Sequence, residues 1–313
     1  MPFILVGTAD GLHSFDASGA AGARALEGHE VRALAPESWT RLWAIVDGRS
    51  IWRRDEGGVW SRVVALSDVA GCDGLEALCL ADTRANEMGG MLVGTSGARL
   101  LRVGADLSVL PLAGFDGAPG RDEWYTPWGA PADTRTISED GSSVYVNVHV
   151  GGVLRSRDDG ATWQPTIDLH ADVHRVVTGH GRVYAAGATG LSVSDDGGDT
   201  WRLSAAGLHA AYCRSVAVCG PGVLLSASQG PGGRHAALYR SDLDATQFER
   251  CREGLPEWFE GNLDSLCLDA LPGGELAAFG TEGGEVYASR DGGASWSGVA
   301  SGLGSIRCVL VLP

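Results

Sequence analysis

Ser156-Arg-Asp-Asp-Gly-Ala-Thr-Trp163, Ser194-Asp-Asp-Gly-Gly-Asp-Thr-Trp201 and Ser289-Arg-Asp-Gly-Gly-Ala-Ser-Trp296 are three copies of one octapeptide, S-x-D-x-G-x-[ST]-W. A recurring unit of this kind is the mark of a repeat architecture, which settles the fold before any other signal. Its chemistry is that of a tight turn between two strands. A short acid bonds backbone amides, a glycine takes positive φ, and a tryptophan offers a large surface to bury. Asp158, Asp196 and Asp291 therefore belong to the turn, since a calcium loop of the EF-hand type needs a longer ligand series that ends in Glu.

The octapeptides resemble the Asp-box, or bacterial-neuraminidase repeat, of sialidases and many other β-propellers, in which the boxes sit on the outer turns of the blades. Degenerate copies then emerge. Arg53-Arg-Asp55-Glu-Gly57-Gly-Val-Trp60 keeps Asp, Gly and Trp; Ser241 to Phe248 keeps the serine and an aromatic; Ser14-Phe-Asp16 and Arg102 mark two weaker ones. The starts fall at 14, 53, 102, 156, 194, 241 and 289, in steps of 38 to 54 residues. Seven copies imply seven blades.

Each box follows a β-rich run such as Phe3-Ile-Leu-Val-Gly-Thr, Met91-Leu-Val-Gly-Thr or Val144-Tyr-Val-Asn-Val, which reads as a second strand. Another apolar segment precedes most of these, for example Val31-Arg-Ala-Leu-Ala or Cys213-Arg-Ser-Val-Ala-Val, and reads as the innermost strand. The first blade lacks one, and Ile306-Arg-Cys-Val-Leu-Val-Leu312 fits the vacancy. The expectation is an all-β, seven-bladed propeller of four-stranded antiparallel blades, one domain over residues 1–313, its ring closed by pairing of the N- and C-terminal strands.

Composition agrees. Forty-seven glycines supply turns and 44% hydrophobic content supplies a core. There is no apolar run of membrane length and no basic stretch before the opening apolar residues, so the chain is expected in the cytoplasm, away from membranes. Seven cysteines, several on predicted inner strands (Cys79, Cys213, Cys267, Cys308), read as buried reduced thiols. A net charge of −15 argues against nucleic acid as partner. All 24 basic residues are arginine, which excludes lysine chemistry, a P-loop lysine included; no nucleotide cofactor is expected.

Departures from the shared unit are the candidates for function. At the start of the inner strand the seven blades place Arg32, Glu76, Arg135, Arg175, Arg214, Ser265 and Arg307, so five guanidiniums can gather at the mouth of a central channel and bind carboxylate or phosphate. The alternative is that each arginine pairs with a neighbouring acid such as Glu76, Asp133, Asp172 or Asp264. The second departure is His149, at the end of a second strand where other copies have Gly7, Gly94, Gly187 and Gly280. His149, His174 and His209, with His170 as alternate, can supply imidazoles for a divalent transition metal, and His149 or His174 an acid/base; ordinary hydrogen-bonding histidines are the alternative. The third departure is two enlarged loops. One holds Glu123, Trp124, Tyr125 and Trp128, the other Glu257, Trp258, Glu260 and Asn262. Aromatics beside carboxylates make stacking platforms, with Tyr212 as a further lining residue and Glu123 or Glu257 as catalytic candidates. A loop folded over its own apolar residues is the other reading.

Sialidases carry six blades and an Arg-Ile-Pro motif ahead of their catalytic arginines, tyrosine, glutamate and aspartate. Seven copies and no Arg-Ile-Pro stand here, so none of those roles transfers and sialidase activity is not expected. The resemblance is rather to a bacterial single-domain branch, some of whose members are encoded near small ThiS/MoaD-like sulfur carriers, and to seven-bladed relatives that include a photosystem II assembly scaffold and the halves of xyloglucanases. Three functions remain open: a propeller that binds an anionic small molecule, with hydrolase or lyase chemistry as its enzymatic form; a histidine-ligated metal enzyme; and a scaffold that holds a partner's acidic or C-terminal carboxylate, a sulfur carrier among the partners.

Overall fold

In the computed structural model, which describes residues 2–83, 90–141 and 143–313, the octapeptides are turns. The Ser156 hydroxyl donates to Asp158 Oδ1 (2.9 Å) and accepts from the Gly160 amide (2.8 Å). Asp158 accepts from the Thr162 amide and hydroxyl (2.8 and 2.6 Å), and the Trp163 indole N–H donates to the Gly160 carbonyl (3.2 Å). Ser194, Asp196 and Thr200 repeat the pattern, as do Ser289, Asp291 and Ser295. The donors of Thr200 and Ser295 hold the Asp196 and Asp291 carboxyls at about 2. Weaker copies keep the acid's part alone: Asp55 accepts from the Val59 amide and Asp16 from the amides of Ser18 and Ala20.

Each full copy joins the third strand of a sheet to the fourth: Val153–Ser156 to Gln164–Pro165, Gly190–Ser194 to Arg202–Ser204, Val286–Ser289 to Ser297–Ala300. There are seven antiparallel sheets, and the chain is a seven-bladed β-propeller. Six blades have four consecutive strands, as in Val31–Pro36, Leu42–Val46, Ser50–Arg54 and Trp60–Ala65. In the first blade Ile306–Leu312 is the inner strand, followed by Phe3–Thr8 and Gly11–Asp16. Pairing from Phe3↔Leu312 to Gly7↔Cys308 closes the ring. The fourth strand of that blade is reduced to two bridges, Leu12↔Ala25 and Phe15↔Ala21, which departs from the four strands expected of every blade.

The chain divides into two compact units. One comprises residues 1–31, 184–193 and 202–313, with Ile4, Val6, Ile306 and Val309 in one apolar cluster and Leu238, Phe259, Phe279 and Trp296 in another. The other comprises residues 32–183 and 194–201, with a cluster around Phe115, Trp124, Val146 and Trp163. Second strands such as Leu42–Val46 are buried at every position, because sheets pack on both of their faces. Bare backbone allows close approach there: a Cβ on Gly94 would stand 2.5 Å from Thr134 Cγ2, and one on Gly280 2.5 Å from Ile306 Cγ2.

Several inner strands begin with a β-bulge. The register steps from Thr134 to Thr136, from Cys213 to Val216, from Ala77 to Cys79 and between Ile306 and Cys308. The residues left over are Arg135, Arg214 or Ser215, Leu78 and Arg307. A bulge bends the strand and re-aims a side chain, and it is how three of the predicted arginines are presented. In the third blade the matching residue is Leu78, and Glu76 lies ahead of the strand. All seven cysteines are buried and none is in a disulfide, and burial pushes the thiols of Cys79, Cys213 and Cys308 up to about 12.

Candidate functional site

Three segments of the second unit are tied together at Val150. Its amide and carbonyl pair with Tyr125 (3.1 and 3.0 Å), it bridges to Asp172, the His149 amide donates to the Asp133 carbonyl (3.0 Å), and the Val173 amide donates to the His149 carbonyl (3.2 Å). The loop carrying Tyr125 and Trp128, the end of strand Ser143–Val148 and the entry to strand Val173–Gly179 are thereby fixed against one another. Asp172 and His174 lie two residues apart in extended chain, so their side chains share a side.

The side chains meet at Asp172. His149 Nε2 lies 3.3 Å from Asp172 Oδ1 and His174 Nε2 lies 3.2 Å from the same oxygen. The two imidazoles stand edge to face at 5.9 Å, and Trp128 stands edge to face with His149 at 4.8 Å. His174 is fully buried and His149 is 4% exposed. On the far side of the His149 ring, Arg135 Nη1 approaches Nδ1 at 3.5 Å. Burial pulls the His149 imidazole below its ordinary value, with the Asp172 hydrogen bond partly offsetting it. Burial also pushes the Asp172 carboxyl up, but its bonds with His149 and His174 outweigh that and hold it well below the usual carboxylate range. A neutral His149 with its proton on Nε2 turns an N–H toward Asp172 and a lone pair at Nδ1 toward Arg135, while the buried Asp172 Oδ1 completes no hydrogen bond of good geometry.

The repeat comparison placed His149 opposite the glycines, and the register corrects this. Gly94 pairs with Leu100 and Gly280 with Val286, three residues before the end of the third strand, and the matching position in the fourth blade is Asn147, paired with Val153. Asn147 is the side chain that replaces a hydrogen. It accepts from the Thr136 hydroxyl and donates to the Val173 carbonyl (2.7 Å), stitching one blade to the next. His149 lies two residues further on, where the chain has left the strand.

Most of the predicted arginines are answered by an acid that leads into an inner strand. Arg32 meets Glu76 (2.6 Å), Arg214 meets Asp264 (3.0 Å) and Arg307 meets Glu30 (2.8 Å). By that rule Arg135 would meet Asp172, directly before Val173. Asp172 instead faces the two histidines, and among the described residues Arg135 forms no ion pair with a carboxylate. Its hydrogen bond is the long one to His149, and its charge acts only at longer range on the Asp133 carboxyl, which burial pushes up and Arg135 pulls down. Arg175 is half-buried on the strand Val173–Gly179.

The two aromatic loops differ from expectation. Trp124 is 8% exposed and packs on Phe115 at 5.6 Å with Arg121 over its ring at 5.1 Å, so it is core rather than platform. Tyr125 and Trp128 are 46% and 62% exposed. Glu123 and His170 are exposed neighbours at 3.8 Å. In the first unit Trp258 is covered by Arg250, 3.8 Å from its ring, and flanked by His209 and His235 at 4.8 and 4.9 Å. His209 Nδ1 bonds the Tyr239 hydroxyl (2.6 Å). Glu257 is exposed, Tyr212 is half-buried, and Asn262 clamps Ser228 (2.6 Å) and the carbonyls of Gly230 and Pro231. Of the histidines predicted for a metal, His149 and His174 come together, with Asp172 between them. Asp172 was foreseen only as a partner for arginine, although its i, i+2 spacing from His174 carries the signal.

No family model matches the sequence, and no curated protein matches it. Solved structures do. YCF48 from Cyanidioschyzon merolae is 14% identical with a TM-score of 0.61, covering 97% of this chain and 91% of that one. YCF48 bound to D1 peptide is 14% identical with a TM-score of 0.58, covering 95% and 84%. The computationally designed Ika8 protein is 14% identical with a TM-score of 0.58, covering 94% and 82%. Identity this low shows a shared fold.

Proposed function

We propose that this chain is an Asp-box propeller of the sialidase-like kind that serves as a protein-interaction scaffold, capturing a partner's acidic side chain or free C-terminal carboxylate at Arg135. The observation that carries this reading is that Arg135 lacks the acid that Arg32, Arg214 and Arg307 each have. A guanidinium presents two parallel donors to a carboxylate, and one that forms no internal ion pair is available to a partner's. Exposed Trp128 and Tyr125, held by the backbone bonds of their loop, are rigid anchors of the type that dominates interface energies. The likeness to a propeller bound to a peptide supports a macromolecular ligand. A small ThiS/MoaD-like sulfur carrier in the cytoplasm is a partner to try first, and seven cysteines outside any disulfide suit a reducing compartment.

Labelled peptides with aromatic residues near the C-terminus, each made as free acid and as amide, test this by fluorescence anisotropy. The free acids should bind at least tenfold tighter than the amides, and Arg135→Ala should weaken them by roughly 30-fold, the scale of an interface hot spot. Equal binding of acid and amide, or an Arg135→Ala protein that binds as before, would reject the reading. Stabilisation by free citrate or acetate with no peptide binding would move the ligand to the small-molecule class.

A further inference from the structure

We infer that His149, Asp172 and His174 form a binding site for a divalent transition-metal ion, Zn²⁺ by the chemistry of the donors. Two imidazole nitrogens and one carboxylate oxygen are a zinc donor set that leaves a fourth position open. Around a tetrahedral ion with bonds of about 2.0–2.1 Å, neighbouring donor atoms are separated by about 3.3–3.4 Å. The observed separations from Asp172 Oδ1 are 3.3 Å to His149 and 3.2 Å to His174. The three donor atoms all lie within 4.8 Å of one another, so the remaining edge closes by at most about 1.4 Å, within reach of a small rotation of the His149 ring.

The donors are also held in place. The Val150 pairings with Tyr125 and Asp172 and the Val173-to-His149 bond fix the backbone on all sides of the cluster. His174 is fully buried and cannot turn its ring to water, whereas the Asp172 side chain is 25% exposed and gives an ion a way in. The chain's charge of −15 favours cations.

Binding asks one change of Arg135. A metal on His149 Nε2 leaves the ring proton on Nδ1, which then faces Arg135 Nη1, another donor, across the present 3.5 Å. The guanidinium has to turn aside, so Arg135 opposes the metal while it favours a carboxylate. The two proposals therefore separate by experiment, and the metal site does not rest on peptide capture.

The test uses the full chain freed of metal by chelator, titrated with Zn²⁺ by calorimetry and with Co²⁺ by visible absorption. The wild type should take up one equivalent, with the intense Co²⁺ absorption of a four-coordinate site. Asp172→Asn should weaken binding by at least roughly 100-fold, since loss of a direct ligand costs no less than the about 10–100-fold of an outer-sphere partner, and Arg135→Ala should keep the stoichiometry and tighten binding. His174→Gln should also abolish binding; should that variant fail to fold by circular dichroism, Asp172→Asn, which keeps the side-chain volume, decides. Uptake below a tenth of an equivalent would overturn the inference. So would an Asp172→Asn protein binding within threefold of wild type, since the ion would then sit elsewhere.

Discussion

Trp163 and Trp201 hold the same place in two octapeptides, yet Trp163 is 1% exposed while Trp201 is half-buried. Trp163 stands edge to face with Phe115 at 5.2 Å and bonds the Gly160 carbonyl, whereas the Trp201 indole nitrogen has no hydrogen-bond partner among the described residues. If burial of the tryptophan makes the turn a staple, the two truncations must differ. Trp163→Ala should cost about 4–5 kcal/mol, since large-to-small changes at buried tryptophans cost about 3–5 kcal/mol and the ring pair adds about 0.5–1.5. Trp201→Ala gives up roughly half that area and no indole bond, and should cost about 2 kcal/mol. With an unfolding entropy of about 2.1 cal/mol/K per residue, a cooperative chain of 313 residues loses about 1.5 °C of Tm per kcal/mol. Thermal unfolding followed by circular dichroism should then show Trp163→Ala roughly 6–8 °C and Trp201→Ala roughly 3 °C below wild type. Equal shifts, or the reverse order, would refute burial as the reason for the tryptophan.

The register makes Asn147 a stitch between blades, so Asn147→Gly, although it restores the glycine of other copies, should cost about 2–3 kcal/mol through two lost buried bonds, and Gly94→Ala should also destabilise because its Cβ meets Thr134; urea denaturation reads both, and a neutral Asn147→Gly would be fatal to the assignment. His149 titrates below 6.5 in the folded chain, so its contribution to stability is present above pH 6.5 and is lost as pH falls from there through the folded value, at no more than about 1.4 kcal/mol per pH unit. Asp172, held below 3.8, adds a second loss at still lower pH. The difference in unfolding free energy between wild type and His149→Asn, measured from pH 8 to 5, should shrink toward acid, and a constant difference would contradict a depressed imidazole. Finally, His149→Leu should let Arg135 swing onto Asp172, lowering the affinity for free-acid peptides by about tenfold; unchanged affinity would show that the histidine does not hold Arg135 open.

The architecture was legible because it rests on local chemistry repeated many times. Serine, aspartate, glycine and tryptophan at fixed offsets make the same turn wherever they occur, and the missing inner strand of the first blade announced the pairing of Ile306–Leu312 with Phe3–Thr8. Side-chain placement was legible only where the register was regular. The inner-strand bulge is shared, Arg135 and Leu78 being equivalent bulged residues, so the pairing and not the end of the apolar run sets the match. Asn147, two residues before His149, is the counterpart of Gly94, and Leu78, two residues after Glu76, is the counterpart of Arg135. Trp124 and Trp128 read alike in sequence. The Tyr125–Val150 bridge turns one inward and leaves the other in solvent, a tertiary contact with no local signature.

The site itself follows from a competition whose sides can be weighed. Asp172 stands where the acid of an arginine pair stands elsewhere, as Glu76 does for Arg32, Asp264 for Arg214 and Glu30 for Arg307. Such pairs lie at the surface, with 19% to 56% of these side chains exposed, and are worth about 0–1 kcal/mol. The nitrogens of two buried imidazoles make a stronger demand, because a buried polar group left without a partner costs about 1–3 kcal/mol. Asp172 Oδ1 lies 3.2–3.3 Å from both ring nitrogens, so the carboxylate is held at the histidines and Arg135 has no ion pair with it. A pair of histidines thus leaves without an ion pair an arginine of a kind that is paired at Arg32, Arg214 and Arg307, which is what the proposed carboxylate capture requires. The repeat supplies the arginine, and the two residues that break the repeat supply its availability.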